Sequence, residues 1–278
     1  ADIHLQGDKE LLYSSDVVKA LSDIVDIATS RKVDLVCVNG DIFESKSNPS
    51  QRLVFRGFLD ALTRENIEIV ILRGNHDEPD DLKIFETQAA RQNIWVSEKP
   101  EQIGFGDKLM IHTIPHFNAG AVALGQGDLS GLANEATGLF DDLIEGIFQK
   151  VHSKPEAPHI VLFHGTISGA KLDNGMIPRQ NGINLNLAKL EALGCPVVGG
   201  HYHKMQNVGG NVWYSGSITR QNFGEASDDK GVLIFEHDGT QWLPPEFVSL
   251  NPAPMILIDA VWNGTDFEYP EVDVAGAD

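Results

Sequence analysis

The sequence predicts an α/β protein in which β-sheets are flanked by helices. Several short apolar runs, rich in β-branched residues and without alternation, have the pattern of strands covered on both faces. Longer amphipathic stretches separate these runs, and strand–helix–strand alternation is typical of layered α/β folds. The runs end at polar clusters, and in such folds the carboxyl ends of strands commonly line the active cleft.

Four of the apolar runs carry the strand prediction. They comprise residues 33–38, 67–72, 160–163 and 196–198. After about residue 205 the pattern changes to further strand-like pieces, at residues 212–214, 232–235 and 247–248. The sequence therefore predicts a first group of buried strands and a second group of strands after them.

Helices are predicted between the strands. Ser15 is a candidate N-cap for a helix whose apolar residues, from Val17 to Ala28, recur at helical spacing. Residues 53–62, 139–151 and 185–193 show the same periodicity, whereas the glycine- and alanine-rich residues 118–131 predict an irregular loop. Prolines 244, 245, 252 and 254 predict a boundary, after which residues 255–258 begin a new element.

The charge of the chain limits what it can bind unaided. Its 278 residues contain 21 lysines and arginines against 40 aspartates and glutamates, a net charge of −19. Binding to a nucleic acid without sequence preference depends on neutralising phosphates, so this balance argues against a protein that simply coats DNA. It does not exclude an enzyme that meets phosphates with metal ions.

Cysteine content and hydropathy indicate the cellular compartment of the protein. Cys37 and Cys195 are too few for a disulfide framework and predict two buried free thiols in a reducing compartment. The chain has no apolar run of membrane-spanning length and no signal-like N-terminal segment. We therefore expect a soluble, cytoplasmic protein with no membrane partner.

Five polar clusters hold the candidate site residues. In chain order they are Asp2-Ile3-His4, Gly40-Asp41, Gly74-Asn75-His76-Asp77, His164-Gly165 and Gly200-His201-Tyr202-His203. Imidazole and carboxylate suit divalent manganese, iron or zinc. Residues two apart in an extended segment point to the same side, so Asp2 and His4 can bind one ion together. Asp41 can bridge two ions with one oxygen on each, and two ions ~3.5–4 Å apart suit in-line phosphoryl displacement.

These ordered clusters resemble the calcineurin-like metallophosphoesterase superfamily. The surrounding residues are more narrowly similar to its Mre11/SbcD DNA nuclease branch, including phage relatives. The narrower similarity rests on Asn48-Pro49-Ser50, Glu78-Pro79, Tyr214-Ser215-Gly216-Ser217-Ile218, Phe223-Gly224-Glu225 and Lys230-Gly231. The resemblance implies a layered metallophosphoesterase fold, with residues 1–243 as the nuclease domain and residues 244–278 as a partial capping region or tail. It also implies a strand before the first cluster, which we expect to precede the printed sequence.

The resemblance implies a role for each matching residue. One metal would be bound by Asp2, His4, Asp41 and His203, and the other by Asp41, Asn75, His164 and His201. His76 would approach the phosphate and protonate or stabilise the leaving oxygen, a role open to imidazole near neutral pH. Asp77 could orient His76, or it could form a structural salt bridge or cap.

Further expectations concern the substrate and partners. His116 is a candidate residue on the substrate side, and Lys204 and Arg220 are candidates for contact with a DNA backbone. The resemblance implies two divalent ions, Mn²⁺ first with Mg²⁺, Fe²⁺ or Zn²⁺ as alternatives. It implies DNA as substrate and a Rad50/SbcC-like ATPase as partner, and it allows a homodimer. If the chain is encoded by a phage, its location would be the host cytoplasm.

Three functions remain open from the sequence. The first is a two-metal DNA phosphodiesterase, an exo- or endonuclease of a DNA repair or recombination complex. The second keeps the metals but acts on a small phosphodiester or phosphomonoester. The third is a non-catalytic scaffold that retains the fold and binds partners. The complete set of ligand-type residues and His76 argues against the third.

Overall fold

The computed structural model describes residues 1–6, 11–88, 94–106, 108–116, 129–171, 184–255, 261–262 and 264–268. Its helices are α1 (Leu11–Arg31), α2 (Pro49–Arg64), α3 (Lys83–Gln88), α4 (Leu129–Ser153) and α5 (Leu187–Glu191). A short 3-10 turn comprises Phe223–Glu225. None of the described helices is long and apolar enough to cross a lipid bilayer.

The described strands form two main sheets and three small pairs. The first nine are β1 (Leu35–Asn39), β2 (Glu68–Leu72), β3 (Ile94–Ser97), β4 (Glu101–Gly104), β5 (Met110–Ile114), β6 (His159–His164), β7 (Thr166–Ile167), β8 (Asn184–Leu185) and β9 (Val197–Gly200). The others are β10 (Gln206–Gly209), β11 (Val212–Tyr214), β12 (Gly231–Ile234), β13 (Glu246–Ser249), β14 (Val261–Trp262) and β15 (Phe267–Glu268).

A parallel three-stranded sheet, in the order β1-β2-β3, faces a mixed six-stranded sheet, in the order β10-β11-β9-β6-β5-β4. Alternate residues of the strands point to opposite faces, and the core divides accordingly. In β2, Val70 and Leu72 pack between the sheets with Ile160 and Leu162 of β6. The protein therefore has four layers: helix, sheet, sheet and helix.

The helices cover the outer faces of the sheets. Buried residues of α1 and α2, such as Leu21 and Leu59, pack with Ile69 and Ile71 on the outer face of β2. On the other side, α4 and α5 pack over the outer face of the six-stranded sheet, where Phe163 is fully buried. This arrangement confirms the layered α/β fold and the four strands predicted from continuous apolar runs.

Several predicted boundaries differ from the structure. Helix α1 begins at Leu11, before the predicted Ser15 cap, and α4 begins at Leu129, inside the predicted loop. The rest of that loop, residues 118–128, lies outside the described residues, as do residues 256–258 of the predicted last element. Both cysteines are free, as predicted; Cys195 is buried, whereas Cys37 is partly exposed. Burial raises the pKa of each thiol to about 12.

The hairpin of β12 and β13 crosses the boundary predicted at residue 244. Gly231 to Ile234 pair antiparallel with Glu246 to Ser249, and Leu250 is buried in the core beside α1. Residues 246–250 thus pack with residues of the predicted nuclease domain, and the division at residue 244 stays a prediction.

Candidate metal centre

The carboxyl ends of four parallel strands meet at one edge of the two sheets. Asp41 follows β1, Asn75 follows β2, His164 ends β6 and His201 follows β9. The N-terminal segment lies along the same edge, because Asp2 N–H donates to Gly40 O (3.0 Å) and Leu5 N–H donates to Ile42 O (2.9 Å). The fold therefore brings all five sequence clusters together.

One group of ligand atoms, which we call the first cluster, comes from Asp2, His4 and His203. These atoms lie within 4.8 Å of one another. His4 Nδ1 is 2.6 Å from Glu44 Oε2, so the carboxylate assigns the ring proton to Nδ1. His4 Nε2 then has no proton and carries a lone pair. This nitrogen is buried without a hydrogen-bond partner and lies 3.9 Å from Asp41 Oδ2. An orphaned imidazole nitrogen beside carboxylates fits a metal ligand.

His203 is held in the same way by a second carboxylate. Its Nδ1 lies 3.0 Å from Oε1 of the fully buried Glu225. Lys230, also buried, lies 2.6 Å from Glu225 Oε2 and donates to His203 O at 2.9 Å. Burial raises the pKa of Glu225, but the hydrogen bonds from His203 and Lys230 outweigh it and lower that pKa to about 2. Glu225 is therefore ionised and fixes the imidazole ring.

The second cluster comprises Asp41, His164 and His201, whose ligand atoms also lie within 4.8 Å of one another. His164 Nδ1 faces Asn39 O at 2.7 Å, while its Nε2 lies 3.0 Å from Asn75 Oδ1 and 3.4 Å from Asp41 Oδ2. His201 Nδ1 is 2.8 Å from the same Asn75 oxygen. Acceptor oxygens and imidazole nitrogens thus converge where a cation would satisfy them all.

Electrostatics support a cation in the second cluster. Burial lowers the pKa of His164, but the hydrogen bond and negative charge of Asp41 outweigh it and raise that pKa to about 9. Burial also opposes ionisation of Asp41, yet contact with His164 holds its pKa well below the usual range. The pocket favours a positive charge beside Asp41, and either a proton or a metal ion can supply it.

Asp41 lies between the two clusters. Its Oδ1 accepts the backbone N–H of His76 at 2.8 Å. Its Oδ2 lies 3.9 Å from His4 Nε2 and 3.4 Å from His164 Nε2. The Asp41 carboxylate is thus placed between the two clusters, and bridging of two ions by Asp41 stays a prediction.

The backbone around the clusters is strained. Positive φ angles occur at Asp2 (53°), His4 (49°), Asp41 (52°) and His201 (104°). Such conformations cost about 1–3 kcal/mol each for residues other than glycine and are concentrated at functional sites. Gly74 makes room for this backbone, because an added Cβ would lie 2.2 Å from the backbone nitrogen of Asp41.

His76 lies at the rim of the first cluster. Its ring centroid is 4.9 Å from that of His4, and its side chain is 38% exposed. His76 Nδ1 is 2.9 Å from the backbone oxygen of Glu44, which assigns the proton to Nδ1. Nε2 is then the nitrogen available to a substrate.

Asp77 does not have the predicted orienting contact. Its buried carboxylate accepts the backbone N–H groups of Ile42 (3.0 Å), Phe43 (3.1 Å) and Gly74 (2.9 Å). The acceptor that orients the His76 ring is instead the Glu44 carbonyl. The structure thus gives Asp77 the capping role that the sequence left as its alternative: it ties the turn after β1 to the turn after β2.

The predicted substrate contacts have different outcomes. His116 lies beside the second cluster, with its ring centroid 6.2 Å from that of His164. Lys204 Nζ is 2.6 Å from the buried carboxylate of Asp228. Arg220 donates to four backbone carbonyls, those of Glu225, Asp228, Pro252 and Ala253. Internal partners thus engage both cations, and contact of Lys204 and Arg220 with a DNA backbone stays a prediction.

Sequence reasoning gave no role to three residues that support the site. Glu44 and Glu225 fix the rings of His4 and His203, and Lys230 neutralises Glu225. All three stand within or just after motifs that carry the family resemblance. For Glu225 and Lys230 the missing signal was burial, which a sequence does not reveal. For the exposed Glu44 it was the distance to His4, which only the fold sets.

Comparisons with known proteins agree with this geometry. The model of the calcineurin-like phosphoesterase family matches residues 1–205. The SbcD subunit of the nuclease SbcCD from Rhodobacter capsulatus is 28% identical over 269 residues, covering 86% of this chain and 65% of that protein. Its counterpart in Bacillus subtilis is 26% identical over 263 residues, covering 85% of this chain and 64% of the relative. The chain thus spans about 65% of the length of these relatives.

The chain also has a distant likeness to two solved structures. A dimetal phosphatase from Danio rerio has a TM-score of 0.48 and 11% identity, over 78% of this chain and 85% of that chain. A phosphopantetheinyl hydrolase from Mycobacterium tuberculosis has a TM-score of 0.37 and 12% identity, over 69% and 83% of the two chains. Both likenesses are too distant to carry a functional argument.

Proposed function

The chain belongs to the calcineurin-like phosphoesterase family; from that premise we propose that it is a metal-dependent phosphoester hydrolase, and more narrowly a two-metal DNA phosphodiesterase. It would serve as the nuclease component of a DNA repair or recombination complex of the Mre11–Rad50 or SbcCD type. Relatives named as components of the nuclease SbcCD support this substrate and the partnership with an ATPase.

One observation carries the proposal: two groups of ligand atoms face the same oxygen of Asp41, with His76 beside them. Asp2, His4, Asp41 and His203 would bind one ion, and Asp41, Asn75, His164 and His201 the other. Two ions in such a site stabilise the attacking and leaving oxygens of a phosphodiester and activate a water molecule. The donor set suits Mn²⁺, Fe²⁺ or Zn²⁺, and we propose Mn²⁺.

The side chains around the metal ligands have separate tasks. His76, with Nδ1 held by the Glu44 carbonyl, presents Nε2 to a phosphate oxygen. In its protonated form Nε2 can donate a hydrogen bond or a proton to the leaving alkoxide. His116 lies on the second-cluster side, where it can contact the substrate. Asp77 keeps the turns that carry Asp41 and His76 in register.

The test is nuclease activity on linear duplex and single-stranded DNA with Mn²⁺, Mg²⁺ or EDTA. We expect Mn²⁺-dependent cutting that His76→Ala reduces by about 10²–10⁴-fold while bound manganese is unchanged. His152→Ala is the matched control, since that histidine is exposed on the last turn of α4. No cutting by a chain that holds two ions would contradict the proposal for the isolated chain, and the assay repeated with the ATPase partner would decide the role in the complex.

A small phosphodiester is the second candidate substrate. The observation that favours it is the internal use of Lys204 and Arg220 in a chain of net charge −19. Hydrolysis of a generic aryl phosphodiester, without cutting of either form of DNA, would support this candidate. A manganese content near zero after growth with manganese would instead support a non-catalytic scaffold.

A further inference from the structure

The two clusters differ in the groups that hold their histidine rings. In the first cluster both Nδ1 atoms face carboxylates: Glu44 Oε2 is 2.6 Å from one ring and Glu225 Oε1 is 3.0 Å from the other. In the second cluster no carboxylate among the described residues holds a ring in this way. His164 Nδ1 faces the neutral backbone oxygen of Asn39 at 2.7 Å, and His201 Nδ1 lies 2.8 Å from Asn75 Oδ1, itself a candidate ligand of this cluster.

A carboxylate behind a histidine ligand has two effects. It fixes the tautomer that leaves Nε2 free, and it makes that nitrogen a stronger metal ligand. It also adds negative charge near the ion, although Lys230 offsets part of the charge of Glu225. Each cluster also has one carboxylate among its own ligand atoms, Asp2 in the first and Asp41 in the second, so the difference between them lies in Glu44 and Glu225.

We propose that Glu44 and Glu225 are positioning residues that make the first cluster the tighter of two unequal metal sites. The first cluster would hold a resident ion, and the second an ion that exchanges readily. The inference rests on the proposed two-metal function and adds to it an order of metal binding.

Glu44 also joins the resident site to the proposed catalytic histidine. Its carboxylate contacts His4, while its backbone carbonyl lies 2.9 Å from His76 Nδ1. The Glu44 carboxylate also lies 3.7 Å from His76 Nδ1, so a neutral side chain removes its charge from both rings while the carbonyl acceptor remains. Glu44→Gln should weaken metal binding at the first cluster and leave the acceptor for His76 in place.

The order in which Mn²⁺ fills the two clusters is tested by titrating the metal-free chain with Mn²⁺. The electron paramagnetic resonance signal of free manganese follows the titration. We expect two classes of site. Asn75→Ala should remove the weaker class and keep the tight one, and His203→Ala should remove the tight class. The titration contains no DNA, so its result does not depend on whether the chain cuts DNA.

The carboxylates are tested in the same titration. Glu44→Gln and Glu225→Gln should each weaken the tight class by about 10–100-fold and change the weaker class by less than about threefold. Glu246→Gln is the control, since that carboxylate is half-exposed and paired with Arg31 at the end of α1. Glu225→Gln leaves the buried Lys230 without its counter-charge, so circular dichroism must first show a folded chain.

Glu44→Gln keeps the inference testable if Glu225→Gln does not fold, because the Glu44 side chain is 48% exposed. Equal affinities of the two classes, loss of the tight class on Asn75→Ala, or unchanged affinity in Glu44→Gln would each overturn the inference. Absence of any manganese binding would overturn both the inference and the proposed function. Two unequal sites in a chain that cuts no DNA would contradict only the function.

Discussion

Asp77 illustrates how one buried carboxylate organises several backbone groups. It is 2% exposed and accepts N–H groups from Ile42, Phe43 and Gly74. We expect Asp77→Ala to lower the free energy of unfolding by about 3 kcal/mol or more, since three buried donors lose their acceptor. Urea unfolding of the metal-free protein measures this loss, with the surface variant Asp60→Ala as the control. A change no larger than in the control would refute the structural role.

His112 predicts a dependence of stability on pH that is separate from the metal centre. Its Nε2 lies 3.0 Å from His159 Nδ1, and burial, followed by the charges of His159 and Lys150, lowers its pKa from 6.5 to about 4. Between these values the unfolded chain binds a proton at His112 that the folded chain does not. The stability contributed by this group is therefore present above the unfolded pKa and lost as the pH falls through the folded pKa.

We expect His112→Gln to remove up to about 3 kcal/mol of the destabilisation that wild type shows between about pH 7 and pH 4. Chemical unfolding in EDTA across that range measures the difference, and His152→Gln, on an exposed helical turn, is the control. Parallel pH curves for wild type and His112→Gln would show that the group does not titrate as described.

The start of α2 connects helix capping to the metal centre. Asn48 and Gln51 form a capping box, with the Asn48 side chain accepting from Gln51 N–H and the Gln51 side chain accepting from Asn48 N–H. Gln51 Nε2 also donates to Leu5 O at 2.6 Å. The helix cap thus holds the residue that follows His4.

We expect Gln51→Ala to reduce the free energy of unfolding by about 2 kcal/mol, since it removes half of the capping box and a buried donor. It should also weaken manganese binding at the first cluster, because the segment that carries His4 is less constrained. Gln149→Ala, on the exposed face of α4, is the control. Reduced stability with unchanged metal affinity would show that Gln51 supports the helix alone.

The elements that the sequence predicted differ physically from those it did not. Strands β1, β2, β6 and β9 have continuous apolar runs because helices and the facing sheet cover both sides. Strand β5 was missed because buried His112 and Thr113 interrupt its apolar pattern. Strand β4 was missed because it is the edge strand of its sheet and buries only Ile103. The apolar pattern of a sequence reflects the burial of apolar side chains. It therefore does not reveal strands whose residues are polar and buried or are exposed.

The candidate site shows the same division between local and long-range information. Ligand types were predictable because each stands in a short motif at a strand end, where the topology brings strand ends together. The partners of Lys204 and Arg220 were not predictable. Asp228, Pro252 and Ala253 come later in the chain, and they reach these two side chains only in the folded protein. The roles of Glu44 and Glu225 depended in the same way on distances that no motif contains.

The net charge of the whole chain predicts weak binding to DNA in the absence of a partner. With a charge of −19, acidic side chains repel the phosphates, and the two candidate cations of the site have internal partners. We expect a dissociation constant in the micromolar range or weaker, about 10⁻⁶–10⁻⁴ M, for duplex DNA at physiological salt. Fluorescence anisotropy with His76→Ala, which prevents cutting, measures it. Nanomolar binding by the isolated chain would show that the charge argument is wrong.

The contact between Asp2 and the backbone N–H of His201 joins residues 199 positions apart. During synthesis, the first two ligands of the first cluster leave the ribosome long before His203 and Glu225 do. Closing so long a loop is entropically costly and tends to be slow. The metal centre is therefore assembled only after most of the domain has been translated, and a nascent chain stalled earlier holds an incomplete set of ligands.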